Sequence, residues 1–478
     1  MKNIFFTAPL ALCTMVATTT SKASAKTDHA KNAPNVIIVL LDDMGYGDLS
    51  VTGASGYKTP NIDRLCAEGM RFTNYYSPQA ISSASRAGLL TGCYPNRIGF
   101  SGALFPSAKV GISSSEETIA DVLKKKDYAC CAIGKWHLGD RQQFLPLHHG
   151  FDEYFGLPYS NDMWPFNPKN PKYPPLPLID GDEMVKEVTP DVLEQITTLY
   201  TERAVRFIEQ NKKKPFFLYL AHTMPHVPLF VSDKFKGKSE QGMYGDVMME
   251  IDWCVGEILK TLKKNGLDKN TLIVFTSDNG PWINYGNHAG STGGLREAKG
   301  CIFEGGQRVP CIMRWSGKIP AGVVCNRLAS SIDLLPTIAN LCDAPLPPLK
   351  IDGVNITPLM MGNETANPRE YFLYYYNKNS LEAVRNDRFK MVLPHKGRTY
   401  VGFLPGNDGN AGKVDENHQE EFALYDLRRD PGERYDVQDL YPEVVAELMK
   451  VVEAARLDLG DDLTGDKGSG RRPIGTSE

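Results

Sequence analysis

A chain of 478 residues with 42% hydrophobic and 10% aromatic side chains can bury a large core, which excludes disorder as its default state and suits one large domain plus a smaller one. Its 53 basic residues against 57 acidic ones give a net charge of −4, whereas a protein that grips a polyanion along a broad face is basic, so nucleic acid is excluded as a partner and anion recognition falls to a pocket. Ten cysteines scattered along the chain match neither a disulfide framework nor any zinc-site spacing.

The N-terminus sets Lys2 before an apolar stretch from Ile4 to Val16 and then small polar residues ending Ala23-Ser24-Ala25. This is the three-part layout of a cleavable secretory signal, with cleavage expected after Ala25. The apolar stretch is too short to span a membrane, and no other segment reads as transmembrane. The bulky Leu12 before Cys13 speaks against lipid attachment there, so the expected mature chain is exported, periplasmic or secreted. Loss of Lys2 and Lys22 leaves 51 basic residues against 57 acidic ones, and loss of Cys13 leaves nine cysteines.

Asn35 to Leu41 is a continuous β-branched and aliphatic run, the pattern of a central strand buried on both faces, and it stops at Asp42-Asp43. Helical spacing follows over Asn61–Glu68, Glu117–Lys126 and Gln195–Asn211. Met163 to Leu178, crowded with prolines and aromatics, reads as an irregular loop near the substrate. Two further apolar runs complete the set: Pro215 to Ala221, ending near His222 and His226, and Thr271 to Thr276, ending in Ser277-Asp278-Asn279-Gly280. Three buried strands that each deliver polar residues at the C-terminal end describe the ligand-binding edge of an open α/β sheet. A Pro-rich stretch at 345–348 and a polar segment at 362–369 place a boundary near 365, dividing the chain into a signal (1–25), a catalytic domain (26–365) and a C-terminal subdomain (366–478). In that subdomain short strands are expected at Tyr371–Tyr376, Glu382–Arg385, Arg388–Leu393 and Phe422–Asp426. A packing helix follows, with Val444, Leu448, Val451 or Val452, Ala455 and Leu459 on its apolar stripe.

Asp42, Asp43, Asp278 and Asn279 are oxygen donors placed where two buried strands end. Hard oxygen donors without histidine or thiolate suit Ca2+, with Mg2+ second, rather than zinc. A lone Asp-Asp pair more often caps a helix or makes a turn. Two pairs on matching strands point instead to a cation.

The run Ser82-Ser83-Ala84-Ser85-Arg86-Ala87-Gly88-Leu89-Leu90-Thr91-Gly92, read alone, is a serine-rich loop entering a helix. It resembles the signature of the type I sulfatases: a cysteine or serine, any residue, proline or alanine, a small residue, then arginine, with leucine-threonine-glycine soon after. Counting back four from Arg86 lands on Ser82. The resemblance runs from about Asn35 to Val437 and is strongest with the arylsulfatase A and N-acetylgalactosamine-6-sulfatase branch. Its other landmarks are Asp42-Asp43-Met44-Gly45-Tyr46-Gly47-Asp48, Thr59-Pro60-Asn61-Ile62-Asp63, Gly134-Lys135-Trp136-His137-Leu138-Gly139, Ser277-Asp278-Asn279-Gly280-Pro281 and Asp426 through Asp430-Pro431-Gly432-Glu433.

The resemblance implies an alkaline-phosphatase-like α/β fold, a large mixed sheet flanked by helices with a smaller C-terminal α+β subdomain of short antiparallel strands plus a helix. It implies that Ser82 is oxidised to formylglycine, and that the hydrated aldehyde joins Asp42, Asp43, Asp278 and Asn279 around Ca2+. In the roles it carries over, Arg86 orients residue 82 and Asp278 accepts a proton from the attacking diol. His226 and Lys299 contact the sulfate and protonate the departing alcohol, while Lys135 and His137 assist expulsion of sulfate. Elementary chemistry asks for the same set, since a sulfate ester needs cations around its oxygens and an acid beside the leaving oxygen.

Ser82 and Ala84 depart from the commonest Cys and Pro of the signature, and a serine form requires a maturation enzyme that accepts serine. The competing readings are a two-metal phosphatase or phosphodiesterase of the same superfamily, which would place histidine where Asn279 stands, and an inactive relative that only binds sulfated glycans. The expected substrate is a sulfated saccharide, desulfated by exo action on galactose- or N-acetylgalactosamine-type sugars of host mucin or glycosaminoglycan fragments. Ser160, Asn161, Asp162, Trp164, Trp282 and His395 are the expected substrate contacts.

Overall fold

The computed structural model describes Met1 and residues 33–478, so the expected secretion signal and Cys13 lie outside the described residues. In chain order the elements that matter begin with β1 (Asn35–Leu41), α1 (Pro60–Ala67), β2 (Met70–Phe72), α2 (Ser82–Thr91), α3 (Ile119–Lys124) and β3 (Ala129–Gly134). They continue with β4 (Glu153–Gly156), β5 (Pro177–Asp180), β6 (Glu183–Glu187), α4 (Pro190–Gln210), β7 (Phe216–Ala221), α5 (Met243–Lys264) and β8 (Thr271–Ser277). Then come β9 (Cys311–Arg314), β10 (Val323–Cys325), α6 (Leu334–Leu341), β11 (Phe372–Tyr376), β12 (Ser380–Arg385), β13 (Phe389–Val392), β14 (Ala423–Asp426) and α7 (Pro442–Leu459).

Ten strands form one mixed sheet in the order β10-β2-β9-β8-β1-β7-β3-β4-β5-β6. Its centre is parallel, β8-β1-β7-β3-β4, and its outer pairings β8-β9, β9-β2, β4-β5 and β5-β6 are antiparallel. Every residue of β1, β3, β7 and β8 is buried, as parallel strands covered on both faces require. Alternate side chains of β1 feed two cores. Val36, Ile38 and Leu40 pack with residues of α2, α3 and α6 on one face; Ile37, Val39 and Leu41 pack with α4 and α5 on the other.

The four central strands end level. Leu41 pairs with Ser277, Leu40 with Ala221, and Ala221 with Gly134. The next backbone amides continue the ladder: Asp278 donates to Leu41 O at 3.0 Å, His222 to Leu40 O at 2.8 Å and Lys135 to Ala221 O at 2.8 Å. Gly134 adopts φ 103°, and a Cβ there would lie 1.8 Å from Ala221 O, so this strand end admits only glycine.

The expected elements appear with shifted ends. Thr118 caps α3, its hydroxyl accepting from Ala120 and Asp121 amides, and so starts the helix two residues late. Pro190 occupies the first turn of α4, which extends it upstream of Gln195. Pro177 and Leu178, expected in the irregular loop, join the sheet edge as part of β5.

The C-terminal strands form an antiparallel sheet in the order β11-β12-β13-β14, against which α7 lays Leu448, Val452, Ala455 and Leu459. A buried ion cluster joins this sheet to the large one. Lys390 on β13 lies 2.7 Å from Glu433 and 3.5 Å from Glu304 and donates to Ile302 O at 2.8 Å, while the Glu304 amide donates to Glu433 at 2.8 Å. Burial, above all, pushes the Glu433 carboxyl up to about 7 from its ordinary 4.5, while the Lys390, Arg385 and Arg308 charges hold Glu304 below its usual range against burial.

Replacing Lys390 strands two buried carboxylates, so Lys390→Met is expected to cost about 3–5 kcal/mol at pH 8. Those carboxyls are raised in the folded variant, which therefore binds more protons than the unfolded chain and loses stability as pH rises. Urea unfolding is expected to show the deficit growing as pH rises above about 7, where Glu433 ionises in the wild type, and shrinking as pH falls below it. A pH-independent deficit would contradict this account of the cluster.

Candidate active site

The level strand ends gather the reactive groups from separate parts of the chain. Asp42 and Asp43 follow β1, Asp278 and Asn279 follow β8, Lys135 and His137 follow β3, and His226 follows β7. Ser82 is the first residue of α2, which is buried along its whole length, so the residue at 82 sits in the positive potential of a helix N-terminus. Of these residues, with Arg86 and Lys299, none is more than 5% exposed.

Ser82 Oγ donates to Asp42 Oδ1 at 3.1 Å and accepts from Lys135 Nζ at 3.3 Å. Lys135 Nζ also reaches Asp42 Oδ2 at 2.6 Å and Ser160 Oγ at 3.3 Å. One turn into α2, Arg86 grips Asp278 through Nε at 3.0 Å and Nη2 at 2.9 Å, and donates to Lys135 O at 2.7 Å. On the other flank Lys299 Nζ binds Asp43 Oδ2 at 2.7 Å, and His226 Nε2 stands 3.6 Å from the same oxygen. Asn279 donates to Asp43 Oδ1 at 2.6 Å.

The turn after β3 explains why the Gly134-to-His137 run is so constrained. Trp136 is driven into the core, its indole donating to Phe144 O at 2.7 Å and its ring meeting Phe151 edge-on at 5.9 Å. Its neighbours Lys135 and His137 are free to leave that core. His137 holds φ 63° and hydrogen-bonds Leu104 O through Nε2 at 2.9 Å, leaving Nδ1 buried without a partner. Asp43 likewise sits at φ 62°, a left-handed backbone uncommon outside glycine.

Charges balance closely: Asp42, Asp43 and Asp278 face Arg86, Lys135 and Lys299. Burial alone would raise the Asp42 carboxyl, but Lys135, His226 and Arg86 hold it well below the usual range. Burial, reinforced by the Asp42 charge, pushes Asp278 up to about 7. Burial lowers His226, with Lys299 adding to the effect, and burial with the Lys135 charge lowers His137 strongly.

The donor set fits a cation. Asp42, Asp43 and His226 each offer a ligand atom within 4.8 Å of the others, and Asn279 Oδ1 is a buried acceptor with no partner. A group so placed costs free energy unless something binds it. Carboxylate and carboxamide oxygens are hard donors that suit a divalent cation, and its charge would give the balanced cluster a surplus that an anionic ester offsets.

Ser160 belongs to this cluster through Lys135, and Trp282 through Lys299, whose Nζ lies 4.4 Å over the indole, and His226, 5.7 Å away. Asn161 ties its loop to the one after His226 by donating to Pro228 O at 3.0 Å. Asp162 and Trp164 line an adjoining cavity. His395 stands apart: buried in the C-terminal region, it uses Nδ1 on Leu393 O at 2.7 Å and places Nε2 3.3 Å from Glu382, so neither ring nitrogen is left for substrate. Sequence reasoning missed Glu297 and Tyr400. The Tyr400 hydroxyl donates to Lys299 O at 2.6 Å, and Glu297 accepts from the Tyr400 amide at 2.9 Å, fixing the backbone that carries Lys299. No local pattern marks either residue.

The sulfatase family profile matches residues 34–344, and a profile for the C-terminal region of aryl-sulfatase matches 367–467. The chain belongs to the sulfatase family. This sulfatase is similar to arylsulfatase A of Bos taurus, 37% identical over 90% of this chain and 88% of the relative, and to N-acetylgalactosamine-6-sulfatase of Mus musculus, 38% identical over 89% and 86%. Among solved structures it is similar to the PsFucS1 sulfatase from Pseudoalteromonas sp., with TM-score 0.79 and 27% identity over 91% of this chain and 94% of that one. The fold is the alkaline-phosphatase-like one of these enzymes, and the activity is that of a sulfuric ester hydrolase.

A divalent cation held at Asp42 and Asp43 is expected to stabilise the sulfatase by about 2.7 kcal/mol at a hundred times its dissociation constant. Calorimetry should show a melting temperature raised by Ca2+, lowered again by chelator, and insensitive to Ca2+ in the Asp42→Asn/Asp43→Asn double variant. A chelator-indifferent melting curve would count against the site.

Proposed function

We propose that this sulfatase removes sulfate by exo action from galactose- and N-acetylgalactosamine-type sugars of host mucin or glycosaminoglycan fragments, with Ser82 oxidised to formylglycine and Ca2+ held by residue 82, Asp42, Asp43, Asp278 and Asn279. The observation that carries the reading is the placement of Ser82 Oγ, 3.1 Å from a buried carboxylate and 3.3 Å from a buried ammonium, beside the unpartnered Asn279 Oδ1. Ca2+ is preferred over Mg2+ because a cage of several protein oxygens suits an ion that takes six to eight of them, whereas Mg2+ keeps most of its water. Similarity to N-acetylgalactosamine-6-sulfatase supports the sugar class. Maturation then needs a serine-accepting modifying enzyme, and the 1–25 segment suits export to the periplasm or beyond. Residues 26–365 carry the chemistry, and 366–478 brace Lys299 through Tyr400.

When present, Ca2+ supplies positive charge to the non-bridging sulfate oxygens, and formylglycine supplies a hydrated carbonyl as nucleophile. The chain's own groups do the rest. Arg86 fixes both Asp278 and the first turn of α2, holding position 82 in place. Asp278, raised toward neutrality, accepts the proton released at position 82. Lys299 and His226 face the sulfate from the Asp43 side and donate the proton that the bridging oxygen needs to depart. Lys135 and His137, on the opposite flank, support release of the sulfate and reset position 82. Ser160 and Trp282 meet the sugar at the edge of the cluster.

Assaying matched sulfate and phosphate monoesters tests this directly. The account expects sulfate esters to be turned over at least a hundredfold faster, and Lys135→Ala and His226→Ala each to lose about 100-fold to 10,000-fold in kcat/KM. A better phosphatase than sulfatase would overturn it, as would turnover of neither ester by protein matured at position 82.

A further inference from the structure

A cavity of about 450 Å3 adjoins the catalytic cluster, within the range of small-molecule sites, roughly 300–1,000 Å3, and no catalytic side chain fills it. Its lining includes Val227 and Pro228, the two residues that follow His226, and Tyr285, whose ring meets Trp282 edge-on at 4.9 Å. Trp282 in turn touches both His226 and Lys299. Through Trp282 and the 226–228 segment, the cavity lies beside the His226 and Lys299 side of the cluster.

Much of the remaining lining is aromatic. Trp164 packs against Phe166 at 4.9 Å and Phe230 at 5.8 Å, and Phe166 stays 56% exposed although it belongs to this cluster. Two charged side chains line it as well. Asp162 Oδ1 is shielded from solvent with no hydrogen bond, and Lys169, 5.6 Å above the Tyr285 ring, has no carboxylate partner among the described residues. Gly409 and Asn410 complete the cavity from a loop clamped to the Trp282 segment: the Asp408 amide donates to Asn287 Oδ1 and Asn287 Nδ2 donates to Asp408 Oδ1, each at 2.8 Å. Such a clamp presents a preformed wall. Aromatic faces match the C–H face of a pyranose, and an ammonium without a carboxylate partner matches an anionic substituent.

We propose that this cavity is a subsite for the sugar next to the sulfated residue, and that Lys169 selects an anionic group on that neighbouring sugar, a carboxylate or a second sulfate. It rests on the saccharide reading above. The enzyme is then a reader of at least a disaccharide, and an aryl sulfate, which cannot reach the cavity, reports the chemistry alone.

The test measures kcat and KM of the matured full chain on an aryl sulfate, a sulfated monosaccharide, and three disaccharides carrying the same sulfated sugar linked to a neutral sugar, a uronic acid or a second sulfated sugar. Either anionic disaccharide is expected to exceed the monosaccharide by about tenfold in kcat/KM, chiefly through KM. Which one does so tells carboxylate from sulfate. In Lys169→Ala the preference for the anionic disaccharide over the aryl sulfate is expected to fall about fivefold, with Lys169→Arg retaining it. In Phe166→Ala the preference for all three disaccharides is expected to fall about tenfold. Both side chains are exposed, so neither change threatens folding. Equal kcat/KM for mono- and disaccharides, or an equal loss on the aryl sulfate in Lys169→Ala, would overturn the subsite while leaving the sulfatase reading intact. Turnover of the aryl sulfate with no saccharide cleaved would overturn the saccharide reading and the subsite together.

Discussion

Parallel pairing of four fully buried strands, in a register that ends them level, is the constraint on which the rest of this structure depends. Once Leu41, Ser277, Ala221 and Gly134 finish side by side, the residues that follow them converge without any further folding decision. Asp42, Asp278 and Lys135 come together although they are separated by many tens of residues in sequence. A register slip of one residue would turn every one of these strands inside out, so the cores on both faces of the sheet hold the geometry of the site.

Gathering three carboxylates and three cationic side chains in a nearly solvent-free space is expensive, and the cluster is stable because each charge meets an opposite one. Arg86 spans Asp278 and Asp42, Lys135 spans Asp42 and Ser82, and Lys299 holds Asp43. The same cluster sets protonation states. Asp42 stays charged because cations surround it, while Asp278, beside Asp42, is left near neutrality and able to take a proton. One buried network thus sets these protonation states and includes a group that could hold a cation.

The centre of this arrangement was readable from the amino-acid sequence because buried parallel strands are unbroken apolar runs, and Asp42-Asp43 and Asp278-Asn279 interrupt them abruptly. Lys135, His137 and His226 were readable only through their resemblance to a family signature, since a lone lysine or histidine carries no pattern of its own. The outer strands were not readable. Met70–Phe72 and Val323–Cys325 are three residues long, too short to show a period. Helix α5 was hidden because Asp246, Glu250 and Asp252 lie on its buried side, where they accept hydrogen bonds from neighbouring segments rather than facing solvent. The ribbon formed by 395–399 and 415–420 is mostly polar, and its lead-out residue Tyr400 touches Lys299 across about a hundred residues of sequence. His395 looked available for substrate and is instead committed to Leu393 and Glu382.

Everything chemical converges on the side chain at position 82, whose encoded hydroxyl already sits between the Asp42 carboxylate and the Lys135 ammonium. Trypsin cleaves after Arg71 and Arg86, releasing residues 72–86 as one peptide. Its mass in protein produced together with a serine-accepting maturation enzyme is the most direct test of the account. The account predicts a peptide lighter by two hydrogens, the mark of an aldehyde at 82, in proportion to sulfate-releasing activity. Full sulfatase activity from protein whose residue 82 is uniformly serine would contradict it.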